Sequence, residues 1–248
     1  LLFEMMLGQH FDSCSVGVFD LKTQKKIIYH QDPEISPVYD LASLTKPLTL
    51  SFTALSHPEY FSEDKLKWTL CHRAGLVSGG RLSKDNWRDQ ILSYPLSFQE
   101  QDLYSDYSAL RTMLEVENKS GKNLYDLCSP LWSKEIFHWT QLPEDCFIPV
   151  TGIRKGQWIH GDVHDDNAFV LKDKLSHAGL FGSVEGVIES LINLFDKTDA
   201  LDLLLKEMKQ TDPQRRFVLG FDRPQDLEQT LAGKGCSTKT IGHLGFTG

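Results

Sequence analysis

The hydrophobic residues of this chain change their period twice, and that change limits the folds open to it. Ser15-Val16-Gly17-Val18-Phe19 alternates, the polar run Lys22–Lys26 follows, and Ile27-Ile28-Tyr29 resumes, which reads as a β-hairpin. Prolines at 33 and 37 predict an irregular connection. From Leu48 to about Trp132 the period is helical: Leu70 follows a Glu63-Asp64-Lys65 start, Trp87, Ile91 and Leu92 share a face, and Leu110, Met113 and Leu114 share another. Ser129-Pro130 interrupts what would otherwise be one helix from Leu124 through Trp132. Between Pro143 and Leu175 no long period is visible, and a loop-rich stretch of that length is usually functional. Val184, Val187, Ile188, Leu191, Ile192 and Phe195 form the clearest amphipathic helix, capped by Ser183, and a second helix covers about 201–208. Strand texture returns in Phe217–Phe221, read as one strand, and in Ile241–Thr247.

Strands, then helices, then strands predict an α+β fold in one unit, its antiparallel sheet built from both chain ends and flanked by helices. The sheet-bearing part covers about 1–47 and 176–248, and a mostly helical, loop-rich insert covers about 48–175. With 26 basic against 34 acidic side chains, a net charge of −8 and no Lys/Arg cluster, nucleic acid and anionic membranes are excluded as expected partners. No apolar run approaches the roughly 18 residues of a membrane span. Cys14, Cys71, Cys128, Cys146 and Cys236 are scattered, without C-x-x-C spacing, so the expectation is buried free thiols rather than a disulfide framework or a zinc site.

In Asp40-Leu41-Ala42-Ser43-Leu44-Thr45-Lys46-Pro47 a serine and a lysine stand three apart at the start of what reads as the first long helix. Residues so spaced share a helix face, and a lysine beside a serine hydroxyl can activate a nucleophile that is weak alone. Pro47 falls in the first turn, where its missing N–H has no intrahelical partner anyway. S-x-x-K also arises by chance as a capped helix start. Three further stretches weigh against that: Leu103-Tyr104-Ser105-Asp106; Gly161-Asp162-Val163-His164-Asp165-Asp166-Asn167-Ala168 with Ser176-His177-Ala178-Gly179-Leu180-Phe181; and the glycine-rich Gly242-His243-Leu244-Gly245-Phe246-Thr247-Gly248. The last suits close approach of a backbone N–H to a substrate oxyanion.

With Leu70-Cys71-His72-Arg73-Ala74-Gly75-Leu76 and Leu219-Gly220-Phe221, these ordered stretches resemble the serine β-lactamase and penicillin-binding protein superfamily over nearly the whole chain. The resemblance is to its class C-like group of D-Ala-D-Ala carboxypeptidases, esterases and β-lactamases. It implies a β-lactamase/transpeptidase-like fold with the site at the junction of sheet and helical parts, and no cofactor. Ser43 would be acylated, Lys46 would lower its proton affinity and shuttle its proton, and Tyr104 would be the general base, which of the two takes the first proton being left open. The N–H groups of Ser43 and Phe246 would form the oxyanion hole. Asp106 stands where many relatives carry asparagine, and is either a substrate contact or a helix cap. His243 and Gly245 would line the substrate site, with His243 and Leu244 in place of the lysine and threonine that hold a substrate carboxylate. The expected activity is hydrolysis of small neutral acyl esters, with D-Ala-D-Ala carboxypeptidase or endopeptidase activity on peptidoglycan as the alternative.

Two rival readings stay open. His160, Asp162 and His164 at alternate positions of an extended segment suit a metallohydrolase, although the resemblance makes this a metal-free loop. A degenerate penicillin-binding fold would bind without turnover, against which stands the joint presence of serine, lysine and tyrosine. His72, His164 and His177 are expected to hold loops by hydrogen bonds. The resemblance further implies strands and a helix after the third motif, where this sequence stops, so a longer protein or a homo-oligomer covering the sheet edge is expected. Scattered cysteines favour a reducing compartment and the resemblance favours the cell envelope, leaving localisation open.

Overall fold

In the computed structural model, residues 13–227, 230, 233 and 235–247 are described. Chain alternation produces the first element as expected: β1 (Ser15–Asp20) and β2 (Lys25–His30) form an antiparallel hairpin. Gly17 faces a helix so closely that a Cβ there would meet Ile188 Cδ1 at 2.5 Å, and the opposite face leaves Val16, Val18, Ile27 and Tyr29 exposed. β3 (Tyr39–Asp40) leads into the Ser43 turn and pairs with β7 (Leu180–Gly182), which on its other side takes β4 (Ile136–His138). The expected antiparallel pairing of both chain ends is present in β3 with β7, one of several small antiparallel sheets, and β4 enters it from within the segment read as a helical insert.

β7 organises the interior because its side chains alternate between two clusters. Phe181, fully buried, joins Leu66, Leu70, Leu110 and Met113 from α2 (Asp64–Leu70) and α4 (Asp106–Ser120). Leu180, equally buried, joins Leu48, Phe52, Tyr125, Leu194 and Leu204. The last two come from α7 (Val184–Lys197), whose cap Ser183 accepts the Gly186 N–H, and α8 (Ala200–Gln210). Leu124–Cys128 is helical and passes into a 3-10 turn at Ser129–Leu131, as Pro130 requires. In Trp87–Ser93, Trp87 and Ile91 are buried, whereas Leu92 faces solvent, off the shared face expected of it.

Other expectations are corrected. The long helix opening at Ser43 is a 3-10 turn at Ala42–Leu44, a π-helical stretch at Pro47–Ser51 and only then α-helix at Phe52–Ser56. Pro47 offers no N–H, and its neighbours find wider partners. Phe217–Phe221 is a hairpin rather than a strand: β8 (Phe217–Val218) turns through Leu219 and Gly220, both at positive φ, into β9 (Phe221–Asp222). The Ile241–Thr247 stretch contributes a single bridge, Asp222 with Gly242. The unperiodic 143–175 stretch holds a three-residue hairpin, β5 (Gly152–Arg154) with β6 (Gln157–Ile159), and a short helix, Asp166–Leu171. All five cysteines are free thiols, but only Cys71 and Cys128 are buried. Among the described residues no helix is long and apolar enough to cross a membrane.

Candidate active site

The site begins where β3 ends. Asp40, buried, accepts the Ala42 N–H at 2.8 Å and, from across the fold, the His164 N–H at 2.7 Å. Ala42 itself sits at φ +44°, a left-handed conformation that costs a residue with a Cβ roughly 1 kcal/mol and is tolerated where surroundings over-determine the backbone. Those surroundings are visible: Leu41 N–H bonds to Leu180 O at 2.9 Å, and Thr45 Oγ1 accepts the Leu180 N–H at 3.1 Å. Ser43 follows this bend.

Lys46, only 3% exposed, donates to Ser43 Oγ at 2.9 Å, to His177 O at 3.1 Å and to Asp106 Oδ1 at 2.7 Å. An ammonium has three protons, so these three partners engage all of them and make its burial tolerable. His177 reaches this position because Ser176–Gly179 runs directly into β7, and its ring Nε2 lies 3.0 Å from Asp165 Oδ1. Burial pushes the Asp165 carboxyl up, but the His177 bond and charge, the Ala168 N–H and Lys46 outweigh it and hold the group at about 2.

Tyr104 lies over the same lysine, its ring centroid 4.8 Å from Lys46 Nζ. Its hydroxyl makes no hydrogen bond to Ser43 or Lys46, and the ring packs against His72 at 4.8 Å and His243 at 5.9 Å. His72 Nδ1 accepts the Ser105 N–H, which makes the ring a loop support as expected. Burial, then the charge of Lys46, pushes its pKa well below the ordinary histidine value. Burial and Lys46 likewise move His243 down to about 4. His243 donates through Nδ1 to Leu244 O at 2.9 Å, while Nε2 is buried without a partner. It is therefore a neutral group at pH 7, further from the lysine of many relatives than its unperturbed chemistry suggested.

The cap reading of Asp106 is corrected. Ser105 has the extended backbone of a cap and accepts the Ser108 N–H, while Asp106 is already the first residue of α4 and turns its carboxylate to Lys46. The third motif reaches the site through Thr247, whose hydroxyl donates to Asp40 O at 2.7 Å; Gly245 and Phe246 precede that tether. Phe246 is 82% exposed, with its ring 5.0 Å from that of His164. Of the metal-ligand types at 160–164, His164 is engaged otherwise: its carbonyl, with that of Val163, accepts from Arg154, and its ring lies tilted against Phe246. Among the described residues no three His, Cys, Asp or Glu side chains gather as ligands would.

Two features escaped the sequence reading. The Asp165–His177 pair supports Lys46 through the His177 carbonyl, and Arg216 grips Asp222 with two bonds at 2.9 and 2.6 Å beside the aromatic cluster. H-A-G-L-F and V-H-D-x-N-A are both legible as motifs, but their pairing joins residues 12 apart across the helix Asp166–Leu171 and the turn after it.

No family model and no curated protein matches the sequence. Solved structures match its shape. The penicillin binding protein from Bacillus halodurans superposes over 91% of this chain and 84% of its own with a TM-score of 0.60 at 14% identity. A class C beta lactamase from Rhodobacter sphaeroides matches over 85% of this chain with a TM-score of 0.53 at 16% identity. The chain has the serine β-lactamase/penicillin-binding protein fold. It spans 65% of that β-lactamase and 62% of SurE, a further match over 90% of this chain with a TM-score of 0.59 at 16% identity. Within this fold the chain brings Ser43, Lys46, Tyr104, Asp106 and His243 into one contact network, while Phe246 meets His164 and no contact joins Gly245 to the network among the described residues.

Proposed function

We propose that the chain is a serine hydrolase that forms an acyl-enzyme on Ser43 and acts on small esters or amides that lack a carboxylate. The observation that carries this reading is the buried Lys46 ammonium, fixed by three partners and donating to Ser43 Oγ at 2.9 Å. Such a donor stabilises the serine oxygen as it loses its proton. In the proposed step the Ser43 Oγ bond to the substrate carbonyl forms as the Ser43 proton passes to the Tyr104 oxygen, the Tyr104 hydroxyl proton passes to the departing group, and the bond to that group breaks. Water then repeats the sequence on the acyl-enzyme. The Ser43 and Phe246 N–H groups are assigned to the oxyanion. The Tyr104 ring lies over Lys46, and a catalytic hydrogen bond of its hydroxyl need form only with substrate in place.

Substrate choice follows from the third motif. His243, pushed down to about 4, carries no charge at pH 7, and Leu244 offers no donor, so a substrate carboxylate finds little there. The names of the neighbours, penicillin binding protein and class C beta lactamase, support acyl transfer as the chemistry. The test is intact-mass spectrometry with a fluorophosphonate probe: the wild type gains one probe mass and Ser43→Ala gains none. Labelling that persists in Ser43→Ala refutes the assignment. Comparing kcat/KM for a p-nitrophenyl ester, a chromogenic cephalosporin and a D-Ala-D-Ala peptide then separates esterase from carboxypeptidase.

A further inference from the structure

We propose that Asp106 is a specificity-determining residue that directs the Ser43 site towards acyl compounds bearing a primary ammonium, such as aminoacyl esters and amides, and away from carboxylates. This rests on the reading of Ser43 as nucleophile and names its substrate class.

Lys46 has its three protons on Ser43 Oγ, His177 O and Asp106 Oδ1, so none remains for a ligand. The other carboxylate oxygen, Asp106 Oδ2, accepts no protein hydrogen bond among the described residues. Its neighbour Gly79 has no side chain to cover it, the place of a Cβ there lying 3.8 Å from Oδ2. The Asp106 side chain is 31% exposed, so solvent and small ligands reach this carboxylate. Ser43 Oγ and Asp106 Oδ1 both hydrogen-bond the same nitrogen, which sets the carboxylate within a small substrate's length of the nucleophile.

The nearby cations are committed elsewhere. Arg216 is held by Asp222 through both oxygens, and Arg73 lies 3.7 Å from Asp102. His72 and His243 are neutral at pH 7. A substrate carboxylate would thus meet a lysine already paired and an unshared oxygen of like charge. An ammonium would gain a charge-assisted bond to Oδ2. Because Lys46 and Asp106 form an ion pair, the selection is short-range, set by direct contact with Oδ2 rather than by a net field.

The experiment compares the methyl esters of phenylalanine with a free, an N-acetylated and an N-succinylated amine at about pH 6.5, where the free amine is largely protonated. Each is assayed on wild type and Asp106→Asn, with fluorophosphonate labelling of both. The expected wild-type order of kcat/KM is free amine, then acetyl, then succinyl, the first step being about tenfold or more. In Asp106→Asn the free-amine to acetyl ratio falls to within about threefold, because the neutral amide keeps the shape but loses the charge. Using ratios within each protein cancels any effect of the change on Lys46. Labelled protein whose ratio is unaltered by the substitution, or a wild type that prefers the succinyl ester, overturns the role of Asp106 alone. Absence of labelling in the wild type overturns the Ser43 reading and this one with it. Should Asp106→Asn fail to fold, the wild-type series decides, since lack of a free-amine preference is refutation by itself.

Discussion

Replacing Asp40 by asparagine should flatten one specific part of the pH dependence of stability. Asp40 is 4% exposed, and burial, opposed by the His164 and Ala42 N–H bonds, raises its carboxyl from 3.8 to about 6. That displacement disfavours the ionised form in the folded state by ~3 kcal/mol at pH 7. Below about pH 4 the carboxyl is protonated in folded and unfolded chains alike. Between about pH 4 and 6 the folded state holds a proton that the unfolded chain has lost, so stability falls as pH rises, and the full cost is present above about pH 6. Asp165, held at about 2, stabilises the fold above about pH 4 and loses that contribution only at lower pH, outside this window. His243, with its pKa moved down to about 4, acts in the opposite sense over about pH 4 to 6.5, as does His72, but both are shared by wild type and variant.

Asparagine can accept one of the two N–H groups and sets a donor against the other, a pH-independent loss of about 1–3 kcal/mol. Urea unfolding of both proteins from pH 4 to 7 is the assay, the difference in free energy at each pH being the readout. Wild type should be the more stable at pH 4, and its advantage should shrink by ~3 kcal/mol by pH 7, vanishing or reversing near pH 6. A difference that stays constant within about 0.5 kcal/mol across that range refutes the reasoning, since it would mean that the buried carboxyl titrates as it does in the unfolded chain.

Tyr104→Phe should lower kcat about 100-fold or more while leaving KM within about threefold, because the lost group moves a proton rather than holding substrate; steady-state kinetics on an ester substrate checks this. His243→Lys should raise kcat/KM for a D-Ala-D-Ala peptide about three- to tenfold by supplying the missing cation, measured beside a neutral ester whose value should not rise. Gly220→Ala should destabilise by about 2 kcal/mol or more, since Gly220 sits at φ +83° and a Cβ would meet Ser51 Oγ at 2.7 Å and Leu70 Cδ1 at 3.0 Å; the urea midpoint reads it.

Local patterns were legible wherever one face of an element is buried. The β1–β2 hairpin and α7 with its Ser183 cap follow directly from alternation, from the 3.6-residue period and from a hydroxyl at the cap. What failed was local geometry carried by residues that do not advertise it. Leu219 at φ +48° bends Phe217–Phe221 into a hairpin, and only Gly220 hinted at the turn. Lys155 and Gly156, both at positive φ, make the β5–β6 hairpin, but strands of three residues are too short to show a period. Of the site, Ser43 and Lys46 were legible because residues three apart share a helix face; a one-turn spacing survives even though the turn is 3-10 and π rather than α. Asp106, His177 and Asp40 were named as motif members, but their partners lie across loops, where sequence spacing says nothing of direction.

The same long-range partners explain why this bend is where chemistry would sit. A serine that only capped a helix would need no strained residue before it, yet Ala42 is held at positive φ and Asp40 is buried with its acidity displaced. Both costs are local, and both are met by distant groups: the His164 N–H on Asp40, Leu180 on Leu41 and Thr45, and His177 O and Asp106 on Lys46. The bend is therefore contacted by Asp106–Ser120, β7 and the 163–168 stretch together. Relieving the strain separates architecture from chemistry. Ala42→Gly should gain up to about 1 kcal/mol of backbone relief in the folded state, offset by the greater freedom of glycine when unfolded, and so leave the urea midpoint nearly unchanged. If the bend serves only folding, fluorophosphonate labelling of Ser43 should be equally unaffected. If it serves to present Ser43 to Lys46, labelling should slow about tenfold or more at unchanged stability, because a loosened turn no longer keeps Oγ on the ammonium. Equal labelling rates in Ala42→Gly and wild type would sink the second reading.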